Sequence, residues 1–358
     1  MKTKLVYVLT CDQKDHYIEQ ALASVYSARY WNPDAIIVLL VDDKTNMLLS
    51  GKRAEILDYI SEKIVIPLDE EKDMVYRSRW IKTNVRCLIE GDFLFIDCDT
   101  IIKHSLEEID GFTYEIGAVL ESQLEVKDFC ESLYQHTKKR TDALGVDLDV
   151  EGLYFNSGVM YVKDSPITHQ LYDLWHTFWQ KSMENGLFAD QPSLSKANRE
   201  VGRIIQRIPN SYNCMLWIQS PQVGDSKILH ISSYRNPSFL FSDKVLSYIE
   251  RNGLGEDWVI RSILDPCSTF LPFDYSVYHS NKYQRKEWKK SISTFLEAYG
   301  KNIDPSYEDF KMSSKLRGSV VWLLRQGHSF AAISVWLYWK YLHLHLKKKH
   351  ISDNVCRK

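Results

Sequence analysis

The first hundred residues alternate short apolar runs with amphipathic segments, and nothing else in the chain narrows its fold so far. Leu5 to Leu9 is an apolar strand ending in Thr10-Cys11-Asp12, after which Ile18, Leu22 and Val25 recur at helical spacing through about Tyr30. A second strand, Ala35 to Val41, ends in Asp42-Asp43 before a helix around Ala54 to Ile60, and a third, Ile64 to Ile66, is stopped by Pro67. Tyr76 to Leu88 then reads as a helix feeding the run Phe93 to Ile96. This order predicts an α/β fold, a mostly parallel sheet with right-handed crossovers and helices on its faces. No Gly-x-Gly-x-x-Gly follows the first strand, which disfavours an ordinary dinucleotide-binding fold. A chain of 358 residues buries a core large enough to need no staples. Its 7 cysteines are scattered without a Cys-x-x-Cys, which reads as reduced thiols and offers no zinc-site spacing.

The stretch Gly91 to Asp99 carries the first chemical signal. Phe93 to Ile96 is the uninterrupted apolar run of a strand buried on both faces, and Asp97 and Asp99 follow at its carboxyl end, where open α/β sheets bind ligands. If the chain stays extended there, both carboxylates point to one side and can share one divalent cation. Arg79, Lys82 and Arg86 lie three and four apart on the preceding helix. That stripe reads either as a solvated face or as the cations a diphosphate needs beside a carboxylate cluster.

Further on, Ile116 to Leu120 is strand-like, and Lys127 to Val150 is polar enough for a mobile or acceptor-facing insertion. In Tyr154 to Val162, Gly158 implies close approach of a ligand or backbone. A helix over about Thr168 to Met183 leads to Asp190-Gln191-Pro192, where Asp190 either caps the next helix or serves a site. Ile204 to Ile208 is strand-like, and Lys227 to Ile231 is a short strand carrying His230, which taken alone reads as structural as readily as a ligand.

In combination and order, Asp97-Cys98-Asp99, then Asn156-Ser157-Gly158, then Asp190-Gln191, then His230 resemble the retaining glycosyltransferases of family 8, the glycogenin and bacterial lipopolysaccharide galactosyltransferase group, over roughly residues 4 to 240. The resemblance implies the Rossmann-like nucleotide-sugar fold called GT-A. It also implies that Asp97, Asp99 and His230 hold Mn²⁺ (or Mg²⁺) under the diphosphate of a UDP-hexose, galactose or glucose. Thr10, Cys11 and Asp12 would hold the uridine, Lys82 or Arg86 the donor, and Asn156 and Asp190 the donor sugar. Gln191 would sit beneath the anomeric carbon. The family often places a glycine and a Lys-Pro pair after its metal histidine; here the run is His230 to Pro237 with Asn236 in the lysine's place, which leaves Arg235 to replace that cation.

Past about residue 250 the resemblance fades. Tyr248 to Leu264 and Lys286 to Tyr299 read as helices, giving a catalytic domain over 1–240, a helical extension over 241–310 and an amphipathic helical tail over 311–358. The tail holds ten Lys and Arg against Asp353 alone, a net +9 that leaves -11 on the rest of the chain. Its longest run without a charge, Gln326 to Trp339, is fourteen residues, short of the roughly 20 that cross a bilayer. With its Trp and Tyr residues and Lys347-Lys348-Lys349, it reads as lying on an anionic membrane, or alternatively as packing back on the body. Nucleic acid is not expected as a partner. Because the apolar stretch Leu5 to Leu9 is too short for a signal-peptide core, the expected location is the cytoplasm, peripherally on the inner face of the cell membrane, with a polyprenyl-linked saccharide as acceptor. The alternatives are a sugar nucleotidyltransferase, which would want a glycine-rich basic loop where Thr10-Cys11-Asp12-Gln13 stands, and a nucleotide-sugar-binding protein without catalysis.

Overall fold

The computed structural model describes residues 1–69, 71–215, 226–231, 241 and 243–266. β1 (Lys4–Leu9), α1 (Tyr17–Trp31), β2 (Ile37–Asp42), α2 (Asp43–Leu48), β3 (Glu62–Ile66), α3 (Met74–Leu88) and β4 (Phe93–Ile96) follow in that order. β5 (Thr100–Ile102), β6 (Ile116–Leu120), α4 (Glu131–Asp142), α5 (Leu148–Glu151) and β7 (Phe155–Val162) come next. After them are α6 (Pro166–Glu184), α7 (Gln191–Glu200), β8 (Ile205–Arg207), β9 (Cys214–Met215), β10 (Ile228–His230), α8 (Asp243–Asn252) and α9 (Asp257–Leu264). Seven strands form one sheet in the order β3-β2-β1-β4-β7-β6-β8. All of them run the same way except β7, which is antiparallel to both β4 and β6.

The sheet is the middle of three layers, and β1 shows why. Leu5, Tyr7 and Leu9 face one apolar cluster while Val6 and Val8 face the other, the period of two that a strand imposes. The first cluster takes Ile18, Leu22 and Val25 from α1, and also Val245 and Ile249 from α8 and Val259 and Ile263 from α9. The second takes Ile81 and Val85 from α3, Leu171 and Trp175 from α6, and Leu194 and Ala197 from α7. Residues on both sides of position 240 therefore share one core. Each fully buried aliphatic side chain in it stabilises by roughly 1.5–3 kcal/mol.

Three segments are drawn more finely by the structure than by the sequence. Asp42 caps α2 by accepting from the Thr45 N–H at 2.8 Å, so a helix starts at Asp43 and only a tighter 3-10 stretch, Gly51–Asp58, lies where the helix was expected. Lys127 to Val150 holds the ordered α4 and most of α5. The run Tyr248 to Leu264 is split into α8 and α9 because Gly253 adopts a positive φ of 71°. Among the described residues no helix is long and apolar enough to cross a membrane. Lys286 to Tyr299 and the basic tail over 311–358 lie outside the described residues.

A second, three-stranded sheet in the order β5-β10-β9 stands at the carboxyl end of β4. β10 pairs antiparallel with β5, setting His230 opposite Thr100, and the Ile231 N–H donates to the Asp99 carbonyl at 2.8 Å. That pairing brings a histidine from far along the chain to the end of the central strand.

Candidate active site

The site starts where β4 ends. The Asp97 N–H donates to the Gly158 carbonyl on β7 at 2.8 Å, and the Thr100 hydroxyl donates back to the Asp97 carbonyl at 2.9 Å, so the chain turns at Cys98-Asp99 instead of running on extended. The two carboxylates meet because of this turn and not through strand alternation. Asp97, Asp99 and His230 each offer a ligand atom within 4.8 Å of the others. The imidazole Nε2 lies 3.1 Å from the Asp99 carboxylate. A Cβ at position 158 would stand 2.4 Å from His230 Cε1 and 2.9 Å from Asp97 Oδ2, so only glycine leaves room for the cluster. The close approach implied at Gly158 is thus made by these two side chains.

Lys82, 4% exposed, reaches the site from α3 and bridges Asp97 at 3.1 Å and Asp190 at 3.6 Å. Arg79 ion-pairs with Asp190 at 3.0 Å, and the Ser157 hydroxyl donates to Asp190 at 2.7 Å. The Asp190 carboxylate makes no cap bond to α7, so of its two readings the site has claimed the side chain. Burial would raise its pKa, but Lys82, Arg79 and Ser157 outweigh that and hold it down at about 2. Burial pushes the Asp97 carboxyl up against the pull of Lys82. Burial opposes the ionisation of Asp99 too, yet the neighbouring His230 holds its carboxyl below the usual range, and Asp99 in turn raises the imidazole. Three carboxylates, Asp97, Asp99 and Asp190, gather with the two cations Arg79 and Lys82 and the imidazole of His230. Two carboxylates and an imidazole converging fit a divalent ion that accepts oxygen and nitrogen ligands.

Arg86 does not join this group. Its guanidinium donates to the Ile89 carbonyl, lies 3.4 Å from Asp164 and covers the Phe93 ring at 4.9 Å. Phe93 begins β4 and Asp97 follows its end, so the length of the strand, about 3.3 Å per residue, separates them.

At the end of β1 the three expected residues divide. Thr10 donates its hydroxyl to the Met74 carbonyl at 3.3 Å, and Cys11 is buried, its thiol pushed up by burial to about 12. Asp12 alone presents its side chain, 46% exposed and paired with Lys44 at 2.6 Å. Arg77, which the sequence reading passed over, holds it: fully buried, it pairs with Asp42, with Asp12 at 2.9 Å and with the Cys11 carbonyl at 3.3 Å. Its signal was Asp42 at the end of β2, a buried charge that needs a partner.

Asn156 is committed to protein at both ends of its amide. Nδ2 donates to Glu121 Oε2 at 2.9 Å, while Oδ1 accepts from the Gly158 N–H at 2.8 Å and from Asn213 Nδ2 at 2.9 Å. It therefore orients other groups, whereas the resemblance would have it touch a sugar. Gln191, the first residue of α7, donates through Nε2 to Glu121 Oε2 at 2.8 Å and to the Phe155 carbonyl at 3.1 Å. Both acceptors lack hydrogens, so the amide nitrogen must face them, and Oε1 makes no hydrogen bond among the described residues. Glu121 and Asn213 were missed. A charged residue directly after the buried strand β6 was the available sign for Glu121. Arg235 lies outside the described residues.

No family model matches the sequence, and no curated protein matches it. Among solved structures, mouse xyloside xylosyltransferase 1 in its apo form is 15% identical, with 65% of this chain and 98% of that one covered at a TM-score of 0.42. The galactosyltransferase LgtC in complex with donor and acceptor sugar analogues is 13% identical, covering 70% of this chain and 93% of that one at a TM-score of 0.46. The glycosyltransferase GlyE of Streptococcus pneumoniae TIGR4 is 18% identical, covering 76% and 66% at a TM-score of 0.45. What the site can do follows from its own side chains.

Proposed function

We propose that this chain is a metal-dependent, retaining glycosyltransferase that moves a hexose, galactose or glucose, from a UDP-sugar to a saccharide acceptor. The observation that carries the reading is the convergence of Asp97, Asp99 and His230 within 4.8 Å, linked by hydrogen bonds to a glutamine whose amide oxygen has no hydrogen-bond partner among the described residues. A Mn²⁺ or Mg²⁺ ion held by those three residues would supply positive charge against the leaving diphosphate. Gln191 would present a neutral carbonyl oxygen to the positive charge that develops on the sugar ring. A neutral amide is too weak a nucleophile to keep the sugar, which favours front-face substitution with retention over a lasting covalent intermediate. Asp190, held ionised by Arg79 and Lys82, adds negative charge on the same side. Asp12 is the exposed group at the end of β1 for the nucleoside, and Arg235 is the candidate for the diphosphate cation.

The acceptor in this reading is a lipid-linked saccharide of a bacterial surface polysaccharide at the cytoplasmic face of a membrane. The +9 charge of residues 311–358 and their Trp and Tyr content support it. Thermal-shift measurements with UDP-galactose and UDP-glucose test the donor. Stabilisation is expected with Mn²⁺ present and not in EDTA, and no shift with either sugar would overturn the reading. NMR of the first-formed product should show the donor's anomeric configuration; the inverted anomer would exclude retention. Deleting residues 311–358 should release the protein from anionic vesicles while sparing donor hydrolysis.

A further inference from the structure

The amide and imidazole groups of the site are joined in one directed chain. Glu121 is buried beside the site, yet neither the metal cluster nor the proposed chemistry uses it. Its Oε2 accepts two bonds, from Gln191 Nε2 at 2.8 Å and from Asn156 Nδ2 at 2.9 Å. A carboxylate oxygen can only accept, so both amides must turn their nitrogens toward it. For Gln191, whose Nε2 also donates to the Phe155 carbonyl at 3.1 Å, the consequence is immediate: the carbonyl oxygen faces away from both acceptors. For Asn156 the consequence travels. Its Oδ1 must accept, and it does so from the Gly158 N–H at 2.8 Å and from Asn213 Nδ2 at 2.9 Å; Asn213 Oδ1 must then accept as well, and it faces His230 Nδ1 at 2.9 Å. His230 is thereby required to carry its proton on Nδ1, which directs Nε2, 3.1 Å from Asp99, toward the metal cluster.

We propose that Glu121 is a positioning residue that, together with the Phe155 carbonyl and the Gly158 N–H, holds two functional groups at once through hydrogen-bond polarity, the amide face of Gln191 and, by way of Asn156 and Asn213, the ring tautomer of His230. The role needs one accepting oxygen at the Oε2 position and does not need a negative charge. That separates it from a nucleophile or a general base, either of which needs the carboxylate. The proposal rests on the metal and Gln191 roles given above, but its central claim concerns the protein's own protons.

Glu121→Gln and Glu121→Met therefore form the test, since glutamine can offer its carbonyl to both donors and methionine cannot. Three measurements apply to the full chain: the exchange of the His230 Nδ1–H proton by NMR with ¹⁵N-histidine label and no metal present, assigned by its loss in His230→Ala; Mn²⁺ affinity by the free-ion EPR signal; and turnover of UDP-sugar. Glu121→Gln should keep a slowly exchanging Nδ1–H and stay within about threefold of the native protein in affinity and turnover. Glu121→Met leaves each amide only its backbone partner; it should speed exchange of the Nδ1–H proton and weaken Mn²⁺ binding by roughly 10–100-fold, the range for groups that orient a metal ligand. Asn213→Ala cuts only the arm to His230. It should reproduce the proton and affinity losses while turnover recovers at saturating Mn²⁺, because Gln191 keeps its acceptor; this variant also covers a Glu121→Met protein that does not fold. A native exchange rate of the Nδ1–H in either Glu121→Met or Asn213→Ala would overturn the proposal, as would a Glu121→Gln as impaired as Glu121→Met. If the native protein neither binds Mn²⁺ nor turns over a UDP-sugar, the glycosyltransferase reading fails, while the proton measurement still decides on the relay.

Discussion

A methyl group added at Gly158 should dismantle the proposed metal cluster while leaving the sheet in place. The built Cβ lies 2.4 Å from His230 Cε1, where an ordinary contact starts at 3.4 Å, so the ring has to retreat by about 1 Å. Two further contacts of 2.9 Å, to Asp97 Oδ2 and Asn156 Oδ1, block the sideways escapes. The ring is also pinned from behind by Asn213, and Asp97 by Lys82. Metal–ligand distances tolerate only about 0.2 Å, so a retreat of that size takes His230 out of reach. Gly158→Ala should therefore weaken Mn²⁺ binding by roughly 10–100-fold, which is about 1.4–2.8 kcal/mol. The overpacking itself should cost about 1–3 kcal/mol of stability. Titration calorimetry of Mn²⁺ in the presence of UDP measures the first quantity, and urea unfolding in EDTA measures the second without the metal. Native Mn²⁺ affinity in Gly158→Ala would refute the reasoning, because it would mean that His230 is not a ligand or that the backbone yields freely.

Asp99→Asn and His230→Ala should each abolish Mn²⁺-dependent UDP binding, read by the same calorimetry; retention in either removes that residue from the ligand set. Gln191→Ala should leave UDP binding within a few-fold of native and lower kcat by roughly 10²–10³, the usual scale for losing one stabilising dipole. Asp190 gives a pH dependence. Its folded pKa of about 2 lies below the ordinary 3.8, so its contribution is fully present above pH 3.8 and is lost as pH falls through 2. The difference amounts to about 2 kcal/mol, and urea unfolding of the native protein against Asp190→Asn should show the gap between them narrowing by about that much from pH 5 to pH 2.

Much of the layered body was legible because its cause is local. A run such as Phe93 to Ile96 is what a strand buried on both faces requires, and Ile18, Leu22 and Val25 recur as one helix face does. Asp97 and Asp99 were legible for the same reason, as charges directly after such a run. The basic stripe was half legible: spacing of three and four places Arg79, Lys82 and Arg86 on one face of α3, but at 1.5 Å per residue the stripe is about 10 Å long, and the site touches only its first two members. His230, Asn213 and Glu121 carry no periodicity at all. Their positions follow from strand pairings between distant segments, and for His230 only the order of motifs hinted at its place.

The register of β10 against β5 has a consequence for how the molecule comes together. The seven-stranded sheet is made from residues 4–207, whereas the third proposed ligand, His230, arrives on a strand that begins at Ile228. A growing chain can thus complete its large sheet, with both aspartates already in place, before any tight ion site exists. If the proposed cluster binds its ion, metal affinity reports the docking of the small sheet, and a cation added during refolding should act on that last step and not on the first collapse.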